Sequence, residues 1–373
     1  MDAQAQAGAP VALVRDITCK SCGAKLSFAP GTRSLKCGHC GAENEIPEAP
    51  AAPVAEQDYE AELKALEGKA ETYEEEHVKC QGCGAEQTLP ADAFAGRCAF
   101  CGAPIVEKGY AKRLVKPEAI LPFQVDRARA QDNFRTWVRR RWLAPGDLKR
   151  YAQSDSGLAG MYVPYWTFDC RTSSDYRGER GDDYYTTETY TTRNAQGEEV
   201  VQTRQVRQTR WTPAAGHVDA FHDDVLVMAS SVLPGDVLGA LGRWDLKALV
   251  PYQPEFVSGF QAVAYRVGLR DAFVAAKQEI DGRVEVLVRR DIGGDHQRIH
   301  DVATRYSDIT FKHILLPIWS STYRYRDKAY RFTVNAQTGE VSGESPYSWW
   351  KIALIAIVIV AAAILIAMYG AKN

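Results

Sequence analysis

The chain has 373 residues, 46% of them hydrophobic and 25% charged, which is enough apolar material to bury the cores of two or three domains. Its 45 lysines and arginines against 47 aspartates and glutamates give a net charge of −2, which excludes proteins that bind nucleic acid through a large overall positive charge. Residues 1–110 hold 10 basic and 17 acidic side chains, a net of −7, so phosphate binding is disfavoured there in particular.

Eight of the nine cysteines stand in Cys-x-x-Cys pairs before residue 102, and Gly-Ala follows every pair. The four pairs are Cys19 and Cys22, Cys37 and Cys40, Cys80 and Cys83, and Cys98 and Cys101. Each set of two pairs is separated by 14 residues, and the second set repeats the first at an offset of 61. The sequence therefore predicts an internal duplication of a small four-cysteine unit, over residues 15–46 and 79–108.

Four thiolates converging on one ion at about 2.3 Å make the tetrahedral site that zinc prefers. The glycine after each second cysteine permits the positive φ at which the backbone leaves such a turn. We predict two structural zinc ions, one in each ribbon, with iron in a rubredoxin-like site as the alternative. A filled four-sulfur site has no open position for water, and reduced thiolates are typical of the cytosol. His39 is expected at the surface, and the unpaired Cys170 is expected as a small buried residue of a strand.

The segment 47–78 joins the two ribbons. It begins with a Pro/Ala/Glu linker whose composition cannot pack a core, and the spacing of its later residues predicts an acidic helix over 58–77.

Residues 114–346 have the pattern of a β-rich α+β domain. A helix is predicted over 127–143, with Phe134, Trp137, Val138 and Trp142 as its buried stripe. Strands are predicted at 161–171, 314–326 and 329–334, and a hairpin is predicted from 184–193 and 198–211 around the turn Asn194–Gly197. Two short segments, 162–166 and 315–319, share a Pro-x-Trp core, which either reflects a weak duplication or arises by chance.

Two further groups of residues could be drawn as metal sites. They are His217, His222, Asp223 and Asp224, and His296, His300 and Asp301. The second has helical i, i+4 spacing but lacks the glutamate of an HExxH motif, and we expect both groups to be loop polar residues or helix caps. Arg139, Arg140 and Arg141 are expected to complement a helix C-terminus. Phosphate-binding loops, nucleophile elbows and dinucleotide-binding fingerprints are absent from the sequence, so no enzymatic activity is expected.

The last part of the chain is the most apolar. Residues 352–369 read IALIAIVIVAAAILIAMY without a charge, which at about 1.5 Å per residue spans roughly the bilayer core. Trp349, Trp350 and Lys351 precede this run as interfacial residues do. We predict one transmembrane helix over 350–369, with a buried core helix as the alternative. The N-terminus has no signal-peptide pattern, so residues 1–348 are expected in the cytoplasm, on the inner face of the cytoplasmic membrane.

The chain resembles a bacterial family of membrane-anchored, TFIIB-type zinc-ribbon proteins, often labelled primosomal protein N′ (replication factor Y) or superfamily II helicase. The resemblance rests on the paired CxxCG knuckles and on motifs throughout the chain, among them Phe134-Arg-Thr-Trp137, Gly160-Met-Tyr-Val-Pro-Tyr-Trp166, Phe221-His-Asp-Asp224 and Phe311-Lys-His-Ile-Leu-Leu-Pro317. It implies a scaffold at the inner membrane, linked to PspA-like membrane-stress proteins and flotillin-like partners. The helicase label is not supported by this sequence, which lacks the ATP-binding motifs of a helicase motor.

These observations predict an α+β protein with two zinc ribbons, a β-rich middle domain and a C-terminal membrane helix. Its expected function is that of a non-enzymatic scaffold or adaptor that recruits protein partners to the membrane. The alternative is a zinc-ribbon protein that binds nucleic acid in replication or transcription. A hydrolase in 114–346 would need a nucleophile and a base that the sequence does not assemble. Association with further copies of the chain remains open.

Overall fold

A computed structural model describes residues 17–47, 54–68, 72–81, 86–88, 96–98, 103–105, 110–148, 158–193, 197–230, 241, 244–263, 265–325 and 328–370. Within this part of the chain the fold is a mixed α+β arrangement built around one large sheet, as the sequence predicts. Of the predicted ligands, Cys83 and Cys101 lie outside the described residues, as do the turn residues 194–196.

The first ribbon is a small antiparallel sheet of three strands. Its strands are β1 (Leu26–Phe28), β2 (Ser34–Cys37) and β3 (Glu43–Glu45), in that order. Each strand has only three or four residues, which is too little to bury an independent core. The ribbon accordingly contributes Leu26, Phe28 and Leu35 to the same hydrophobic cluster as residues of the main sheet.

The segment after the first ribbon differs from its prediction. Strand β4 (Gln57–Asp58) pairs with the main sheet, and helix α1 (Tyr59–Gly68) ends nine residues before the predicted boundary at residue 77. Strand β5 (Thr72–Lys79) occupies the rest of the predicted helix and pairs antiparallel with strand β9 (Tyr110–Val115). Strand β6 (Glu86–Thr88) pairs with β5, and β7 (Gly96–Arg97) pairs with β8 (Pro104–Ile105).

The main sheet contains three unusually long strands. They are β11 (Ala159–Arg193), β12 (Glu199–Met228) and β15 (His296–Tyr325), and β11 lies between the other two in antiparallel pairing. The hairpin predicted for 184–211 is confirmed, since Arg193 pairs with Glu199 and Gly197 has φ +84°. The shorter strands of this sheet are β10 (Ala119–Ile120), β13 (Val250–Pro251), β14 (Gln261–Ala262), β16 (Lys328–Asn335) and β17 (Val341–Gly343).

The two Pro-x-Trp segments are neighbours in the main sheet. Tyr162 pairs with Pro317 and Pro164 with Leu315, so the segments run antiparallel on adjacent strands. Each tryptophan uses its indole N–H to hold a chain segment outside the sheet: Trp166 donates to the carbonyl of Val267 and Trp319 to that of Val125. The two similar segments therefore make the same kind of contact, each to a segment outside the sheet.

Helix α2 (Arg127–Arg140) confirms the predicted helix but ends three residues early. Phe134 and Val138 are buried, whereas Trp142, predicted in the buried stripe, is 68% exposed. The reason is the turn that closes the helix, in which the Arg141 N–H donates to the Val138 carbonyl and takes Trp142 off the helical stripe. Arg139 and Arg140 are exposed in the last turn, as expected for residues that complement a helix C-terminus.

Two further α-helices among the described residues of the body are the short α3 (Pro254–Val257) and the long α4 (Leu269–Ile292). Sequence reasoning did not predict α4, which packs on one face of the three long strands. Its buried residues recur at three- and four-residue spacing, from Ala272, Ala276, Ile280 and Val284 to Val288 and Ile292. They share one hydrophobic cluster with Trp166, Phe168 and Cys170 of β11, and Cys170 is fully buried as predicted.

The last helix that the structure describes is α5 (Trp349–Gly370). Among the described residues, no helix is found that is long and apolar enough to cross a membrane. The first turn of the helix is attached to the segment after α2: the Lys351 ammonium donates to the carbonyls of Trp142 and Ala144 at 2.9 and 2.7 Å.

Candidate metal centre

The first two cysteine pairs form a compact group of four sulfurs. Cys19, Cys22, Cys37 and Cys40 lie close enough together to bind one metal ion. The Sγ atoms of Cys19 and Cys40 are 3.7 Å apart, and those of Cys22 and Cys37 are 3.5 Å apart. Four sulfurs placed tetrahedrally at about 2.3 Å from an ion would be roughly 3.8 Å from one another, so the spacing fits such a site.

The two cysteine pairs lie in two separate backbone turns that have the same geometry. The N–H of Cys19 donates to the carbonyl of Ala24, and the N–H of Cys37 donates to that of Ala42. Within each turn the following glycine closes a second hydrogen bond, from Gly23 to Cys19 and from Gly41 to Cys37. Gly23 and Gly41 have φ values of +73° and +75°, as the sequence predicts for the position after each pair. The repeated sequence therefore produces a repeated geometry.

Backbone amides prepare two of the sulfurs for the thiolate form. The N–H of Ser21 points at the Cys19 sulfur at 3.4 Å and lowers the pKa of that thiol to about 6. The amides of Cys40 and His39 lower the pKa of Cys37 in the same way. The Ala24 amide acts similarly on Cys22, but the thiols of Cys40 and Cys37 outweigh it and raise the pKa of Cys22 to about 12. The pKa values of neighbouring thiols therefore shift in opposite directions. A cation at the centre would favour the thiolate at all four positions.

The ribbon that carries these cysteines is fixed to the body of the protein. The Ser258 hydroxyl donates to the Leu26 carbonyl at 2.7 Å, and the Phe28 N–H donates to the Ser258 carbonyl at 2.9 Å. Phe28 packs edge-on against Phe256 of α3 at 5.3 Å between ring centroids. Gly259, with φ +84°, leaves room for Ser27, whose Cβ would lie 2.6 Å from any Cβ added there. The four cysteines are therefore carried by a unit that packs directly against the main core.

The second ribbon is described only in part. Cys80 and Cys98 are buried in one hydrophobic cluster with Val78, while their partners Cys83 and Cys101 lie outside the described residues. The N–H of Cys98 donates to the Ala103 carbonyl at 2.8 Å. Cys19 and Cys37 make the same hydrogen bond, to the carbonyl five residues later in the sequence.

The histidines of the two other groups do not gather into one site. His217 is exposed on β12 between Asp175 and Asp219, whose carboxylates lie 2.7 and 3.0 Å from its ring nitrogens and raise its pKa. His222 points to the opposite face, where it is buried against the Thr172 hydroxyl. His296 and His300 lie in strand β15, so their spacing is not that of helical ligands. The expectation of loops and caps is therefore wrong for these histidines, which are all strand residues.

Three carboxylates surround the buried Lys312, an arrangement that the sequence did not reveal. Its ammonium lies 3.3, 3.6 and 3.0 Å from carboxylates of Glu56, Asp169 and Asp224. Asp169 and Asp224, together with Asp223, have the spacing of a metal site, but the lysine already supplies the positive charge there. Burial raises the pKa of Asp169 to about 6. The group joins β4 to β15, because Glu56 directly precedes β4.

Comparisons with known proteins place one relative beside this chain. The relative is the uncharacterized protein YdjG of Bacillus subtilis (strain 168). This chain is 25% identical to it over 350 residues, which cover 90% of this chain and 91% of that protein. No family model matches the chain, and no solved structure matches it.

Proposed function

We propose that this protein is a non-enzymatic scaffold, stabilised by two structural zinc ions and anchored at its C-terminus in the cytoplasmic membrane. It recruits protein partners to the cytoplasmic face of that membrane. The observation that carries the proposal is a projecting two-stranded arm, formed by Tyr184–Arg193 of β11 and Glu199–Gln208 of β12.

The arm extends beyond the rest of the sheet. The pairing of β11 with β15 stops at Gly181 and His296, so the arm continues as two strands alone among the described residues. Cross-strand contacts hold it together, such as the bond from the Tyr190 hydroxyl to Gln202 at 2.9 Å. Two-stranded ribbons are marginal in water without a further layer. Tyr185 and Val201 lie on the same face of the arm and are 66% and 68% exposed, which suits a surface that a partner covers.

The charges of the arm favour a protein partner over nucleic acid. It carries three arginines and two glutamates, and its arginines are paired: Arg204 with Glu188 at 3.0 Å, Arg193 with Glu199 at 4.0 Å and Arg207 with Asp183 at 3.4 Å. Phosphate binding depends on basic side chains that are free to replace counterions. The N-terminal region with its net charge of −7 offers no better surface.

The four-sulfur site supports a structural role for the metal. All four positions of the tetrahedron would be taken by Cys19, Cys22, Cys37 and Cys40, so no position is left to activate water. Zinc suits this donor set, with iron as the rival. We assign a second zinc to Cys80, Cys83, Cys98 and Cys101, because the sequence repeats and the Cys98 turn bond recurs.

Membrane attachment is proposed for α5 from its composition and exposure. Ile357, Val358, Ile359 and Val360 are each about 60% exposed, which leaves an apolar surface facing outward. The body is placed on the cytoplasmic side because thiols stay reduced there, as the two cysteine sites require. The resemblance noted above suggests PspA-like or flotillin-like partners.

The arm provides the test. In the full chain, Tyr185 and Val201 are both replaced by serine, and proteins cross-linked to the chain in intact membranes are identified. The matched control is Val286→Ser on α4, a residue with 58% exposure outside the arm. The proposal predicts that the arm variant loses a protein that the wild type and the control both retain. Identical captured proteins for all three, or cross-links mainly to nuclease-sensitive material, would contradict it.

A further inference from the structure

Within the part of the chain that the structure describes, strand β15 has no strand paired to one of its edges in the middle of its length. One edge pairs with β11 from His296 to Ser320, and along the other edge β4 pairs with Thr310 and Phe311, β10 with Ile314 and Leu315, and β16 with residues 318–325. From 297 to 309 the described residues supply no second neighbour. Folded proteins usually blunt or cover such an edge, because its free N–H and C=O groups bind another strand.

The side chains along this edge are arranged symmetrically by charge. Asp301, Ala303 and Arg305 are exposed on the sheet face opposite α4, with opposite charges two residues on either side of the alanine. Each charge already has a partner on β11, since Asp301 lies 3.8 Å from Arg177 and Arg305 lies 3.4 Å from Asp175. Each of the two charged side chains is therefore contacted from the β11 side, and each can contact one more charge from the unpaired edge of the strand.

From this pattern we infer that two copies of the chain pair through this edge. The β15 strands run antiparallel about a two-fold axis at Ala303, so that Asp301 faces Arg305 of the partner subunit and the reverse. Asp301, which is in register with Arg177 on β11, then lies between that arginine and Arg305 of the partner subunit, while Arg305 in each copy keeps its diagonal contact with Asp175. Opposite charges directly across antiparallel strands stabilise the pairing, and the same arrangement opposes a shifted register.

The other face of the same edge is an open groove. It has a volume of about 520 Å³ between α4 and β15, with an apolar floor of Val284, Ile299 and Val302. The two-fold axis is perpendicular to the sheet, since residues that face each other keep the same side. The grooves of both copies then adjoin across the axis, and α4 of each copy flanks the joined groove. Closed two-fold contacts of this kind are the commonest in oligomers, and they leave no open edge for further growth.

A cysteine at the axis tests the register. Directly opposed residues of antiparallel strands have Cα atoms about 4.5–5.5 Å apart, which a disulfide can bridge. The full chain with Ala303→Cys, in mild detergent, should form a covalent dimer on gentle oxidation. The matched control is Ala215→Cys, also an exposed alanine on the same sheet face but on β12. The control and the wild type should stay monomeric on a non-reducing gel.

Charge reversal gives a second measurement on the same protein. Asp301→Arg places two arginines opposite each other at both symmetric positions, and should raise the Kd for dimerisation by about tenfold or more. Adding Arg305→Asp restores opposite charges across the axis and should recover most of the dimer. Failure of Ala303→Cys to cross-link above the Ala215→Cys level, or dimerisation unaffected by Asp301→Arg, would overturn the inference.

Discussion

The replacement of Phe28 by alanine examines how firmly the first ribbon is built into the body. Phe28 is 3% exposed and packs against Phe256 and Phe260, with ring centroids 5.3 and 6.5 Å away. Truncating a phenylalanine in such a core costs about 3–5 kcal/mol, from lost burial and from the cavity that remains. We therefore expect the free energy of unfolding of the whole body to fall by about that amount, although residue 28 lies in the ribbon.

Urea unfolding of the full chain, followed by tryptophan fluorescence, measures this effect because Trp166 and Trp319 are buried in the body. With an m-value of about 3 kcal/mol/M, the midpoint should fall by roughly 1–1.7 M. The control is Phe28→Leu, which keeps most of the volume and should cost less than half as much. The metal content of both variants should equal that of the wild type, since no cysteine changes. A midpoint shift below about 0.2 M for Phe28→Ala would refute the coupling of ribbon and body.

Three further predictions follow from separate features. Burial raises the pKa of Glu118 to about 7, so the native state binds the proton more tightly and stability falls as the pH rises from about 4.5 to 7. Glu118→Gln should flatten that part of a stability-against-pH curve, and an unchanged slope would count against the assignment. Ending the chain before Trp349 should release it from carbonate-washed membranes with its metal retained, whereas persistent membrane association would exclude α5 as the anchor. The purified chain should not hydrolyse ATP, and DNA-stimulated turnover surviving further purification would show otherwise.

Local patterns predict those parts of the fold that depend on neighbours in sequence. The cysteine knuckles, the positive φ of Gly23 and Gly41, and the hairpin that turns at Gly197 all follow from short motifs. Helix α4 was missed although its apolar spacing is helical. Asp281-Gly282 is a turn signal in its middle, and β-branched Val284, Val286 and Val288 favour strands. Packing on three strands outweighs both preferences.

Contacts between distant segments explain the rest of the differences. The docking of the ribbon depends on Ser258 and Leu26, which are 232 residues apart, and no local pattern encodes that bond. The same applies to Lys312, whose partner Glu56 sits in a segment that composition assigned to a linker. Trp142 has the helical spacing of a buried residue, but the turn at Arg141 removes it from the helix.

The metal content of the purified chain, measured by mass spectrometry under reducing and chelator-free conditions, is the most direct test of the account. Cys22→Ser removes an exposed member of the first four-sulfur group, and Cys170→Ser removes the unpaired buried cysteine as its control. We predict two zinc ions per wild-type chain, one in Cys22→Ser and two in Cys170→Ser. Iron in place of zinc would correct the choice of metal. A wild-type chain without bound metal, or a Cys22→Ser chain with the full amount, would contradict a structural metal site at Cys19, Cys22, Cys37 and Cys40.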